Sequence, residues 1–310
     1  MCSAPIEAAQ GHRVATIART RNDRKGLMYR SFKPVGTAMP IVLAATSSLA
    51  LLCTTAQAQT STDNAVQTST INEILGTHND VSIGVGAGID QRYMGARDFR
   101  FEVLPTVDVS RGIFFADFIR GAGVQYQTAS GFYVSQAFNY DYGRADENNF
   151  FRPGSDYLKG MGDVKGTVTS TVTLSQRVAP WLSVNAQAEF GLDGHARGNQ
   201  YQFGLESTIS QTAVDTFVLD MDAKLGDGQY NQTYFGVTPS QSINSGLRRY
   251  APGAGLYAIS LAATWTHMFD KHWSAGLVLD ATRYMNTVAD SPVVQRRTGA
   301  TVFTSVGYTF

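Results

Sequence analysis

The chain has 310 residues and is formally neutral, with 25 Lys or Arg against 25 Asp or Glu; 16% of it is charged and 43% is apolar. That balance argues against a basic nucleic-acid binder. After the N-terminal segment there is no run of eighteen or more apolar residues to span a bilayer as a helix. Thirty glycines beside 14 Tyr and 17 Phe point to short strands and turns, because aromatic side chains fit a pleated surface.

In chain order, residues 1–58 read as a targeting segment. Arg30 and Lys33 lead into an apolar run from Ile41 to Leu52, which ends in Ala56-Gln57-Ala58, so cleavage after Ala58 is expected. Met28 opens a conventional signal and is the expected true start. Leu52 before Cys53 argues against lipidation, since a small residue is normally needed there. Both cysteines, Cys2 and Cys53, fall in the removed part, which excludes disulfides and thiolate chemistry from the mature chain. Residues 1–58 carry seven of the basic and two of the acidic side chains, so the remainder is acidic by five. Residues 59–80 are polar, lack a period, and read as a periplasmic lead-in.

From Val81 a two-residue rhythm begins, and it predicts an all-β chain of about twelve strands over 81–310. Val81, Ile83, Val85, Ala87 and Ile89 alternate with Ser82, Gly84, Gly86 and Gly88. Further strands are expected at Phe101–Val109, Phe132–Tyr142, Val164–Leu174, Trp181–Asp193, Tyr201–Gln211, Thr216–Leu225, Gly255–Phe269, Trp273–Ala281 and Ala300–Phe310. Shorter ones are expected at Ile113–Ile119 and Ala122–Thr128. Most match the roughly 9–11 residues that a tilted strand needs to cross a bilayer.

Connection lengths separate a membrane barrel from a soluble sandwich. The even-numbered turns, near Arg111-Gly112, Ser130-Gly131, Ala179-Pro180, Ala213-Val214 and Asp270-Lys271, are tight. The longest connections, Gly143–Gly162, Gly226–Ala254 and Tyr284–Gly299, are all odd-numbered. This segregation is that of a transmembrane antiparallel β-barrel with both termini in the periplasm. Aromatic residues near the strand ends, among them Trp181, Trp265, Phe269 and Trp273, read as girdles at the headgroups. The last strand ends in Tyr308 and Phe310, an expected signal for outer-membrane assembly machinery.

Several segments together resemble the MipA/OmpV family, named for an MltA-interacting outer-membrane protein. They are Tyr93-Met94-Gly95, Asp141-Tyr142-Gly143-Arg144, Leu158-Lys159-Gly160-Met161-Gly162-Asp163, Tyr234-Phe235-Gly236-Val237 with Ser245-Gly246 and Tyr250, and Asp290-Ser291-Pro292-Val293-Val294. Each is Gly-rich or aromatic; their order and spacing carry the resemblance, which spans nearly all of Val81 to Phe310. It implies an outer-membrane barrel. Some members of the family link a lytic transglycosylase to a penicillin-binding protein, and others are porin-like or adhesive.

The polar strand face supplies the candidate lumen-lining residues Glu102, Asp108, Lys165, Arg177, Glu189, Glu206, Asp220, Asp222 and Asp280, together with Asp141 and Lys224. They read as salt-bridged networks filling a barrel of intermediate width, or as a water-filled path with mild cation preference. His272-Trp273-Ser274 superficially resembles an outer-membrane phospholipase motif, but Ala275 stands where Asn is wanted. His267 reads as an interfacial histidine, and His78 and His195 are isolated, so neither a metal nor another cofactor is expected. Arg248-Arg249 and Arg296-Arg297 read as solvated charges on outer loops, with contact to lipopolysaccharide phosphates as the alternative. The expectation is a non-enzymatic scaffold between the outer membrane and peptidoglycan-remodelling enzymes, with a narrow channel as the alternative and a lipid-active enzyme behind both.

Overall fold

The computed structural model describes residues 76, 79–192 and 197–310. The expected targeting segment, nearly all of the lead-in, His78 and His195 lie outside the described residues. Twelve antiparallel strands follow one another: β1 (Asp80–Gln91), β2 (Phe99–Arg111), β3 (Phe114–Asp117), β4 (Gly121–Gln127), β5 (Phe132–Asp141), β6 (Thr167–Ala179), β7 (Leu182–Gly191), β8 (Gln200–Gln211), β9 (Asp215–Gly226), β10 (Gly255–Met268), β11 (Trp273–Tyr284) and β12 (Thr298–Thr309). Each pairs with its chain neighbours, and β12 returns to β1 with Ile83 opposite Tyr308 and Ile89 opposite Val302, closing the barrel.

Closure and alternation have one cause. An N–H or C=O left unpaired in hydrocarbon costs several kcal/mol, so a sheet that enters lipid must remove its edges. The side chains on its outer face must then be apolar. Along β2, Phe101 and Val103 are 63% and 50% exposed, whereas Arg100, Glu102 and Leu104 between them are buried. Phe203, Met221 and Leu261 repeat this on β8, β9 and β10. The exposed faces are apolar and the buried faces are largely polar, so the barrel is built to stand in a membrane.

The even-numbered connections and both strand termini lie at one end, and the long connections at the other. At the short-turn end Trp265 Nε1 donates to Asp215 Oδ1 at 2.9 Å, and His267 Nδ1 lies 2.9 Å from the same oxygen. His272 stacks on Tyr308, and its Nδ1 lies 2.8 Å from the Thr309 carbonyl oxygen. At the other end the β9–β10 connection folds into α1 (Gly228–Phe235) and α2 (Pro239–Ser245). Thr238 and Gln241 form a capping box on α2, and Gly246 ends it at φ +75°.

Two expectations change in detail. β6 begins at Thr167 rather than Val164, because Val164 bridges Arg144 inside the β5–β6 loop. Lys165 therefore stands exposed outside the strand. β3 has four residues against the expected Ile113–Ile119, while β4 keeps the expected seven, so the wall is lowest there.

Candidate functional site

The five segments that carry the family resemblance meet at the long-loop end of the barrel. Tyr93 and Ala96 of the β1–β2 loop, Leu158 and Met161 of the β5–β6 loop, Val237 of the β9–β10 loop and Val293 of the β11–β12 loop pack as one buried cluster. A second cluster lies against the strands: Tyr230, Tyr234 and Phe235 of α1 with Tyr257, Ala258, Tyr284 and Val288, flanked by Met94, Val164 and Val294. Four loops thus share two small cores across the barrel mouth.

Main-chain contacts tie the loops together. The Tyr93 hydroxyl donates to the Val293 carbonyl at 3.0 Å, Gln295 N donates to the Gly95 carbonyl at 2.8 Å, and Gln241 Nε2 donates to the Met161 carbonyl at 2.9 Å. Gly160 is required where it stands: at φ +88°, a Cβ there would come 2.5 Å from the Asn244 carbonyl oxygen.

Beneath the loops is a buried charge cluster. Arg197, from the β7–β8 loop, places Nε 2.6 Å from Asp141 Oδ2 and Nη2 2.6 Å from Glu189 Oε1. The Tyr234 hydroxyl donates to Asp141 Oδ2 at 3.0 Å, and Arg144 Nη1 donates to the Tyr234 carbonyl at 2.6 Å. Both guanidinium groups lie within 6 Å of tyrosine ring centroids, Arg197 over Tyr230 and Tyr234 and Arg144 over Tyr93 and Tyr234.

Gly198 makes the position of Arg197 possible. Its φ of +82° and missing Cβ, which would fall 2.2 Å from Tyr230 N, let the loop lie on the start of α1. There Asp227 caps the helix by accepting from Tyr230 N at 2.7 Å and also accepts from Asn199 N at 2.9 Å. Burial works against the Arg197 charge, but the facing carboxylates of Glu189 and Asp141 outweigh it and raise the guanidinium above its ordinary value. Burial, with the Asp141 carboxylate, pushes the Tyr234 phenol up, so it remains a neutral donor. The cluster is thus one cation between two carboxylates, locked by a phenol.

The expected lumen residues fall in separate places. Glu189 belongs to the mouth cluster, and Glu102 pairs with Arg100 along β2. Asp108 reaches Arg120 at 3.3 Å beside the β3–β4 turn. Glu206 of β8, Asp220 of β9 and Asp280 of β11 share one level through the register Glu206–Asp220–Ala262–Asp280. Asp222 is buried two residues along β9, opposite Gly204. Arg177 is exposed near the short-turn end of β6, as Lys165 is near the long-loop end. Of the outer-loop arginines, Arg297 pairs with Asp290 at 2.6 Å, and Arg248 donates to the Asp290 carbonyl at 3.1 Å. Among the described residues no group of three or more His, Cys, Asp or Glu could hold a metal ion.

Sequence reading passed over Arg197 and Tyr230. The available signals were a cation next to Gly198 in a connection too short to reach far, and Tyr230 four residues before Tyr234, behind the capping residue Asp227.

This fold and mouth define an outer-membrane type of β-barrel, closed by its own loops. Residues 83–310 match the family described as MltA-interacting protein MipA, and the chain belongs to that family. Comparison with curated protein sequences finds no match. Among solved structures, Pseudomonas putida OprB is 12% identical with a TM-score of 0.35, over 67% of this chain and 59% of that one. The translocator domain of the autotransporter NalP from Neisseria meningitidis is 11% identical with a TM-score of 0.35, over 80% and 96%. OmpT of Vibrio cholerae is 9% identical with a TM-score of 0.32, over 75% and 97%.

Proposed function

We propose that this protein is a non-enzymatic scaffold in the outer membrane whose short-turn end, exposed to the periplasm, docks a lytic transglycosylase and through it other peptidoglycan enzymes, a penicillin-binding protein among them. The observation that carries the reading is the closed mouth. Four loops share two buried cores, and Arg197 ties Asp141 to Glu189 beneath them. A barrel stoppered by its own folded loops serves better as a rigid pillar than as an open pore. The family's description as MltA-interacting supplies the partner class. Export with a cleaved signal ending at Ala58 belongs to the same reading.

The second reading is a narrow channel with cation preference. It is favoured by the row of Glu206, Asp220 and Asp280 at one level of the inner wall.

Two measurements on the purified barrel separate them. Capture of a lytic transglycosylase by the barrel, lost when the β6–β7 and β10–β11 turns are exchanged for unrelated short turns, supports the scaffold. Reproducible single-channel conductance of the intact protein in a planar bilayer, with no such capture, overturns it in favour of the channel.

A further inference from the structure

The barrel wall has a window. β3 pairs with β2 only from Asp108 to Arg111, and one further bond runs from Phe118 N to the Val107 carbonyl at 3.0 Å. On the other side, β4 pairs with β5 only as far as Phe138. Above the Phe118–Arg120 turn, two strands are therefore missing between β2 and β5. At about 4.8 Å per strand spacing, the two edges stand about 14 Å apart. The β5–β6 loop roofs the gap, with Gly154 N donating to the Arg92 carbonyl at 2.8 Å.

The window opens toward lipid. Because Val107 turns its carbonyl to β3, the pleat directs the backbone groups of Pro105, Val103 and Phe101 the same way. Among the described residues, no strand pairs with β2 on that side beyond Asp108. The bare groups of Val103 and Phe101 carry the cost of an open edge in hydrocarbon, and Pro105 limits it: it has no N–H to leave bare and discourages another strand from adding here. Phe101 beside it is one of the most exposed apolar residues of the barrel and Val103 is exposed too, and the window lies in the half nearer the long loops, hence in the outer leaflet.

Behind the window the inner wall is apolar at the level of Leu104, beside the buried Arg100–Glu102 pair further along β2. Leu104 on β2 packs with Phe303 on β12 and Val278 on β11, and Phe118 of the floor turn closes against them. The ring of Phe303 lies across Gly86 and Gly88 of β1, whose missing Cβ atoms make room for it. The register continues through Thr264 to buried Val218 on β9. An apolar patch thus spans β2, β12 and β11 behind the window, and beyond it Thr264 interrupts the stripe before Val218.

The turn that carries Phe118 is held by few bonds. Asp117 Oδ1 accepts from Ile119 N and Arg120 N, both at 2.7 Å, and Asn139 Nδ2 donates to the Ile119 carbonyl at 2.6 Å. Besides these, the Phe118 N to Val107 bond and the Arg120 pairs with Asp108 and Asp117 tie it down, so opening it breaks one main-chain bond to β2 and leaves the four β2–β3 pairs in place.

We propose that this window and the belt of Leu104, Val278 and Phe303 form a binding site for a hydrocarbon chain, admitted sideways from the outer leaflet, with Phe118 as its gate. The chain could belong to a membrane lipid or to a free single-chain amphiphile, which share the chemistry the belt recognises. The site is independent of the scaffold reading, since it uses the wall and not the periplasmic turns.

The test is fluorescence quenching in vesicles. In the full barrel with Trp181, Trp265 and Trp273 replaced by Phe, a single reporter is introduced as Phe118→Trp. A control carries Thr173→Trp, facing inward on the wall across the lumen. Quenching at 118 at least threefold stronger than at 173 in vesicles of brominated phospholipid supports a lipid chain as occupant. Such quenching seen only after a brominated sixteen-carbon fatty acid is added to unbrominated vesicles supports a free amphiphile. Equal, weak quenching at both positions under both conditions overturns the proposal. Leu104→Trp repeats the measurement should the first reporter fail to assemble. In the Phe118→Trp barrel, Val278→Asn should weaken the quenching titration about tenfold, and an unchanged titration overturns the assignment to the belt.

Discussion

Arg197 Nε stands 2.6 Å from Asp141 Oδ2, both side chains are almost wholly buried, and the contact joins the β7–β8 loop to the end of β5. With Glu189 on its other nitrogen, Arg197 neutralises two carboxylates that would otherwise face each other without solvent. Arg197→Met should therefore cost about 3–5 kcal/mol, the usual penalty for leaving a buried charge unmatched. The denaturant midpoint of the refolded barrel measures it. The triple variant Arg197→Met, Asp141→Asn, Glu189→Gln should recover much of the loss, because no carboxylate charge then remains unmatched.

The twelve strands are legible in the sequence because lipid outside and polar groups inside impose opposite demands on alternate residues. Strand parity puts the start of β1 and the end of β12 at the same end, opposite the long loops. The charged residues are a different matter: phase says inside or outside but not depth. Lys165 and Arg177 share the inward phase with Glu189, yet they stand exposed toward opposite ends. The mouth cores are not legible, because their contacts join loops up to about two hundred residues apart, such as Tyr93 with Val293. Each segment alone reads only as a Gly-rich or aromatic loop. The window leaves one trace, Pro105 in the middle of a strong strand pattern, where proline marks an edge.

The Phe303 ring and Gly86 are mutually dependent. A Cβ on Gly86 would come 2.3 Å from the ring, and the nearest atom outside that ring is the Thr304 carbonyl oxygen at 3.1 Å. Gly86→Ala should cost about 1–3 kcal/mol in the native barrel, as overpacking does, and much less once Phe303→Ala has removed the ring. Gly84→Ala should show no such relief, since its added Cβ would meet the Val306 carbonyl oxygen at 2.3 Å. A double-mutant cycle on unfolding free energies reads the coupling directly.

The β10–β11 turn should respond to acid through Asp270. Its Oδ1 accepts from Trp273 N at 2.8 Å and from His272 N at 2.6 Å, and these bonds hold the carboxyl below its ordinary value of 3.8. A carboxyl depressed in the folded state lends stability above its unfolded value and withdraws it as pH falls through the folded one. Protection of the His272 and Trp273 amides against hydrogen exchange should thus hold at neutral pH and fall only below pH 3.8. Asp270→Asn, whose amide oxygen still accepts, should keep protection and lose the pH dependence. Asp270→Ala should lose protection throughout.

Phe310 contributes little to the finished barrel. Its amide donates to the Val81 carbonyl at 3.0 Å and its ring meets the edge of Tyr308, but the side chain is 65% exposed. One backbone hydrogen bond is worth about 1 kcal/mol net, so removing Phe310 should shift the denaturant midpoint of refolded protein only slightly. The assembly signal expected at Tyr308 and Phe310 assigns it a part in insertion instead, when β12 must find β1 and close the last pair of edges. Deletion of Phe310 should reduce the amount of barrel reaching the outer membrane of expressing cells several-fold, while spontaneous refolding into detergent proceeds at the normal rate. Equal losses in cells and in detergent would assign Phe310 to stability; equal yields in both would remove it from assembly.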